Sequence, residues 1–165
     1  MSELRFSVGD LVARPGTHRD VVGVLALNLK IGETTVDDDA EVKARLQAIP
    51  DGILVRARAN AVADHICARC LVEWSNEIEV EIVELFARYP IEDQSGIAPD
   101  LTIDLGPIVH DEVSLNLPPV PICRPDCQGL CPNCGADLNM SPCAGHGDDT
   151  ASPFAALRQL FEAET

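Results

Sequence analysis

The stretch CRPDCQGLCPNCGADLNMSPCAGH, from Cys123 to His146, constrains this chain more than any other part of its sequence. Between Cys123 and Gly147 there are four glycines, three prolines and few large apolar side chains. A segment of that composition buries too little surface to offset the entropy of ordering itself. It carries instead Cys123, Cys127, Cys131, Cys134 and Cys143, with His146 three residues beyond the last cysteine. Zinc takes four nitrogen or sulfur ligands in a tetrahedron, and a two-residue gap lets one tight turn present both sulfurs to a single ion. Cys131-Pro-Asn-Cys134-Gly is such a turn. Pro132 stiffens its start, and Gly135 suits the positive φ that turns backbone N–H groups toward the thiolates.

Cys67-Ala-Arg-Cys70 supplies a second CxxC pair far upstream. Two arrangements fit the eight donors. In the first, Cys67, Cys70, Cys123 and Cys127 hold one zinc while Cys131, Cys134, Cys143 and His146 hold another. In the second, one zinc takes Cys67, Cys70, Cys131 and Cys134. The first leaves no cysteine idle. An odd count of seven cysteines leaves one unpaired in any fully disulfide-bonded scheme. One or two free thiols in an apolar niche would be ordinary, but the whole cluster would not. A thioredoxin-like CPNC should open a helix after a strand, whereas Asp-Leu-Asn and more cysteines follow it here.

Charge narrows the function classes. With 12 Lys and Arg against 27 Asp and Glu, the formal net charge is −15. That balance disfavours a protein whose main task is to grip phosphate backbones, and thiolate ligation makes the chain more negative still. Acidic chains suit basic partners. No run approaches the roughly 20 apolar residues that span a bilayer, and the start MSELRFSVGD lacks the pattern of a signal peptide. The sequence therefore reads as that of a cytoplasmic protein without a membrane segment.

The expected fold class is α+β, mostly β: an antiparallel β-hairpin core, a zinc-knuckle annex and a short terminal helix. Three parts are expected, namely a β core over 1–122, a cysteine-rich segment over 123–150 and a helix over 151–165 that packs on the core. The hairpin is the clearest element. Val72, Trp74, Ile78, Val80 and Ile82 alternate with Glu73, Ser75, Glu77, Glu79 and Glu81, which is a period-two strand with one wet, acidic face. Val55, Ala57, Ala59, Ala61 and Ala63 share one parity in the preceding run, so the CxxC should cap a long hairpin. The N-terminal 29 or so residues suggest short strands broken at Pro-Gly and Gly. The acidic TTVDDDAEVKARLQAIPDG suggests a short helix or a mobile loop. DLTIDL predicts a short strand. GPIVHDEVSLNLP predicts a helix ended by Pro118 and Pro119, and SPFAALRQLFEAE another with Ser152 as N-cap.

Other chemistry-bearing residues read plainly. His65 beside Cys67 is a possible substitute ligand, with an exposed strand histidine as the simpler expectation. His110-Asp111-Glu112 reads as a solvated helix face, since sequence neighbours point different ways on a helix. Arg56, Arg58 and Arg69 form a basic group too small for strong phosphate binding. Trp74 and Tyr89 are almost the only aromatics available to stack on a base.

The hairpin CxRC, the stretch DEVSLNLPPVPIC, the cluster CxxxCxGLCPxCGxxLN and the closing PFAALRQL occur in this order between about Val55 and Leu160. In these blocks the chain resembles the YceD-like family of large ribosomal RNA subunit accumulation proteins. The resemblance implies a mostly β protein needed for normal accumulation of large-subunit ribosomal RNA, without catalytic activity. Relatives often place a cysteine where this chain has His146. The expectation is thus a non-enzymatic accessory factor with structural zinc, working through a basic ribosomal protein or assembly factor. Two other classes remain open: a direct RNA-binding zinc-ribbon module, and a thiol oxidoreductase using Cys131 and Cys134.

Overall fold

The computed structural model describes residues 4–143, 145 and 146. The expected terminal helix over 151–165 lies outside the described residues, as does the end of the 123–150 segment. The elements run β1 (Arg5–Ser7), α1 (Gly9–Val12), β2 (His18–Ala26), β3 (Leu29–Ile31), β4 (Thr34–Val36), β5 (Asp39–Ile49), β6 (Gly52–Ile66), β7 (Glu73–Ala87), β8 (Thr102–Asp104) and α2 (Gly106–Asn116). The chain is α+β and mostly β, with all strand pairs in its two sheets antiparallel.

The long hairpin is the frame. β6 and β7 pair along their whole length, from Gly52↔Ala87 to Ile66↔Glu73. β6 is central: its first half also pairs with β5, which pairs with β2, and its far end pairs with β4, which pairs with β3. β1 and β8 form a separate two-stranded sheet. One parity of β6 and β7 is buried, with Val55, Ala57, Ala59, Ala61 and Ala63 beside Ile78, Val80 and Ile82. Val109 and Val113 of α2 join this core, while Leu115 stays 80% exposed on the helix's wet side.

The region from Thr34 to Gly52 departs from the sequence reading. It holds strands β4 and β5 where a helix or mobile loop was expected. Ala40, Val42, Ala44, Leu46 and Ala48 are buried, and Glu41, Lys43 and Arg45 are exposed. The period of two was present, but the acidic run Asp37-Asp38-Asp39 at one end and the Pro50-Asp51-Gly52 turn at the other made the segment read as a helix or loop. Pairing on both sides, with β2 and β6, makes it a strand. Near the N-terminus the expected short strands form, with one unexpected turn of helix, α1, between β1 and β2.

Candidate metal centres

The β6–β7 connection is the knuckle Cys67-Ala-Arg-Cys70-Leu-Val. Cys67 N–H donates to the Val72 carbonyl (2.9 Å) and Leu71 N–H to the Cys67 carbonyl (2.9 Å). Leu71 takes a left-handed φ of 61°, which folds the turn tightly enough to set both sulfurs on one side. The chain after α2 returns to this turn: Ala68 N–H donates to the Pro121 carbonyl at 2.8 Å. That places Cys123 and Cys127 against the knuckle. Cys70 and Cys123 sulfurs are 3.7 Å apart, and those of Cys67 and Cys127 are 3.9 Å apart. Cys67 and Cys127 are buried, while Cys70 and Cys123 are partly so.

The second group forms one short step along the chain. Cys131 N–H donates to the Ala136 carbonyl and Gly135 N–H to the Cys131 carbonyl, each at 2.8 Å. Gly135 has the expected positive φ, 72°. The N–H groups aimed at the Cys131 sulfur come from Cys134 and Asn133. Cys134 and Cys143 sulfurs lie 3.7 Å apart. His146 Nε2 reaches Cys143 Sγ at 3.0 Å and Cys131 Sγ at 3.3 Å. In each group of four, the donor atoms all lie within 4.8 Å of one another, so each could hold a metal ion. The grouping is that of the two-centre arrangement: Cys67, Cys70, Cys123 and Cys127 in one, Cys131, Cys134, Cys143 and His146 in the other.

The electrostatics of the bare thiols point to a cation. Burial pushes the Cys67 thiol up, but hydrogen bonds from the backbone of Cys123, Cys70 and Arg69 outweigh it and hold the group at about 6. Burial and the neighbouring sulfurs of Cys67, Cys70 and Cys127 push Cys123 up to about 12. In the second group, backbone N–H groups of Cys134 and Asn133 lead in holding Cys131 at about 6. Each cluster thus favours a thiolate but resists a second one beside it. A bound dication removes that conflict by stabilising all the thiolates together.

Contacts outside the donor sets tie the two groups to each other. Arg69 donates from Nη1 to the Cys127 carbonyl (2.9 Å), and its own carbonyl accepts from Leu130 N–H (3.0 Å). Asn139, from the second loop, donates to Cys127 Sγ at 3.8 Å and accepts from Gln128 N–H at 2.8 Å. Arg69 is therefore a strut between turns, and does not extend the basic group of Arg56 and Arg58. In the sequence Asn139 stood out only as the last residue of the block CxxxCxGLCPxCGxxLN, with no role attached to it.

His65 differs from the sequence reading. It is 2% exposed, with Nδ1 2.8 Å from Thr34 Oγ1 and Nε2 2.7 Å from Asn76 Oδ1. Its ring stacks on Trp74, centroids 4.5 Å apart. Both ring nitrogens are committed, which leaves none for a metal, and Trp74 is occupied as a stacking partner. Tyr89 is 85% exposed. His110 and Asp111 touch at 3.4 Å on the exposed side of α2, as expected of a solvated face. The outer face of β7 carries Glu73, Glu77, Glu79 and Glu81, all exposed.

Fold and site together define a class: a mostly β protein whose hairpin tip and following loop build two adjacent cysteine-rich groups able to hold metal. The chain belongs to the YceD family, described as large ribosomal RNA subunit accumulation protein YceD, whose model matches residues 55–161. Uncharacterized proteins of Mycobacterium tuberculosis and Mycobacterium bovis are 34% identical to it over 177 aligned positions, covering 99% of this chain and 84% of each relative. An uncharacterized protein of Mycobacterium leprae is 30% identical, over 94% of this chain and 76% of the relative. No solved structure matches. Among the described residues no helix is long and apolar enough to cross a membrane.

Proposed function

We propose that this protein is a non-enzymatic, cytoplasmic accessory factor in large-subunit ribosomal RNA accumulation, processing or ribosome assembly, and that its two cysteine groups hold structural zinc. Family membership supports the biological setting. The donor chemistry supports the ion. Zn–S bonds of about 2.3 Å in a tetrahedron imply sulfur pairs about 3.8 Å apart. The Cys70–Cys123, Cys67–Cys127 and Cys134–Cys143 pairs at 3.7, 3.9 and 3.7 Å match that spacing. The single observation that carries a structural role is that each group offers four protein donors, which closes a tetrahedral shell to water and substrate. Such a centre fastens chain to chain: the first would clamp the segment after α2 to the hairpin tip, and the second would order its own loop.

The partner in this reading is a basic ribosomal protein or assembly factor that meets the carboxylates of Glu73, Glu77, Glu79 and Glu81. Binding purified basic ribosomal proteins at physiological salt tests it. Changing these four residues to lysine is expected to abolish the capture and leave the fold intact, since all four are exposed and the change breaks only the surface ion pairs of Glu79 and Glu81 with Arg58. Capture that survives the reversal overturns the partner assignment. In cells, unchanged levels of large-subunit ribosomal RNA after loss of the protein overturn the biological role.

A further inference from the structure

The acidic face of β7 shares the sheet's outer surface with a concentration of positive charge that no single sequence segment displays. Lys43 pairs with Arg58 across β5 and β6, and two residues along, Arg45 pairs with Arg56. All four side chains are exposed on the face opposite the core. Strand geometry puts their Cα atoms in a rectangle of about 5 by 7 Å. A third of the chain's 12 Lys and Arg residues therefore stand side by side in a protein of net charge −15. Spacing like charges apart would lower their repulsion, so this clustering costs free energy when the protein is alone.

The square is half neutralised, in a regular way. Arg45 is bound through two nitrogens to Asp20 at 2.7 and 2.8 Å. Arg58 is bound to Glu81 at 2.6 Å and lies 3.6 Å from Glu79. Arg56 meets only the neutral Gln47, at 3.3 Å, and neither it nor Lys43 has a carboxylate partner among the described residues. The opposite corners are Val22 and Val83, 69% and 66% exposed, and together these side chains line a shallow groove of about 670 Å³.

We infer that this groove binds the phosphate backbone of single-stranded RNA through Lys43 and Arg56, with Arg45 and Arg58 held in reserve by Asp20 and Glu81. The inference rests on the proposed ribosomal RNA role for its choice of polyanion. A second copy laid square on square would set cations against cations. An acidic protein segment would offer carboxylates, a group that Asp20 and Glu81 already supply from within, whereas a phosphate chain offers charges at regular intervals to both free cations. No aromatic side chain lines the groove, so no base is stacked there and binding is weak, resting on phosphate contacts. Net charge opposes the approach of RNA from afar, but at physiological salt that repulsion is screened beyond about 8 Å and the local square governs contact. The outer face thus joins an acidic strip for a basic protein to a basic square for RNA, and the two together would hold a basic partner against the RNA.

The test is fluorescence anisotropy of the full chain with a labelled single-stranded oligouridylate over a range of salt. Two phosphate contacts predict that log K falls against log salt with a slope of about −1.4. Asp20→Asn with Glu81→Gln frees Arg45 and leaves Arg58 only its longer pair with Glu79, so affinity is expected to rise several-fold and the slope to steepen beyond about −2.1, the value for three contacts. Lys43→Gln with Arg56→Gln is expected to abolish binding. All four are exposed surface changes, and a circular dichroism spectrum checks the fold. Wild-type affinity in both double variants overturns the site. Absence of oligouridylate binding by the Asp20→Asn, Glu81→Gln variant at low salt overturns it too. Binding of poly-glutamate in preference to oligouridylate overturns the choice of RNA. None of these results touches the cellular RNA levels on which the proposed function stands.

Discussion

Gly129 lies against Arg69 so closely that a Cβ on it would stand 3.0 Å from the Arg69 carbonyl oxygen. Its φ is 76°, in the left-handed region that favours glycine. This residue sits between the two cysteine groups, two positions after Cys127 and two before Cys131. The close approach lets Leu130 N–H reach the Arg69 carbonyl and Leu138 N–H the Gly129 carbonyl, both at 3.0 Å. One backbone contact thereby fixes how the second loop leaves the first knuckle.

Gly129→Ala is accordingly expected to cost about 1–3 kcal/mol, from the strained φ and the forced separation of the two turns. Both causes act on the cysteine-rich segment. Denaturant unfolding of the zinc-loaded protein measures the loss, and wild-type stability in the variant would show that the contact is loose.

Cys67→Ser and Cys134→Ser are expected to differ in severity while each lowers bound zinc by about one ion per chain. Cys67 is fully buried at the hairpin tip, so its loss unclamps the segment after α2 from the sheet. Cys134 is exposed in the second loop, and its loss loosens that loop alone. A wild-type content of one zinc, lost completely in both variants, would establish the single-ion arrangement of Cys67, Cys70, Cys131 and Cys134.

His65→Leu is expected to destabilise the fold by about 2–3 kcal/mol, although leucine suits a buried strand position. The change leaves the Thr34 hydroxyl without its histidine partner beneath the sheet and removes the bond to Asn76. His65→Leu combined with Thr34→Val should recover part of the loss, because the second change removes the stranded hydroxyl. No recovery in that cycle would mean that the Trp74 stack, and not the hydrogen bond, carries the energy.

What the sequence disclosed and what it hid follow one physical division. The hairpin was legible because its signal is local: β-branched residues and glutamates alternate along β7, and a CxxC interrupts two strands of matching length. The donor spacing was legible for the same reason. The strand β5 was obscured because the acidic run Asp37-Asp38-Asp39 ahead of it reads as a loop, and because its place in the sheet depends on β2 as well as on β6, which follows it across the Ile49↔Gly52 turn. The cation square is a matter of register. Lys43 and Arg58 are ordinary surface residues until the β5–β6 pairing sets them side by side. His65 was misread because its burial depends on Thr34 and Asn76, which reach it from two other strands.

Chelation of zinc should be visible in the fluorescence of Trp74, the chain's single tryptophan. Trp74, the second residue of β7, follows the knuckle closely, pairs with His65 across the hairpin and stacks on its ring. Cys67 N–H bonds to the Val72 carbonyl, so the first cysteine group and the indole share one turn of backbone. Structural zinc can supply on the order of 10 kcal/mol of apparent folding free energy, and its removal should release Cys123 and Cys127 from the tip. The hairpin itself is held by the rest of the sheet, so Trp74 should lose part of its stack and shift toward solvent without global unfolding. Because protons compete with zinc for thiolates, the same change is expected on lowering pH, with retention of the ion falling as the solution becomes more acidic. Restoring zinc at neutral pH should reverse it. In Cys134→Ser, which leaves the first centre complete, the loaded protein should show the wild-type spectrum, whereas Cys67→Ser should show the chelated spectrum from the start. Identical spectra for the two variants would mean that the centres do not act separately on the hairpin tip.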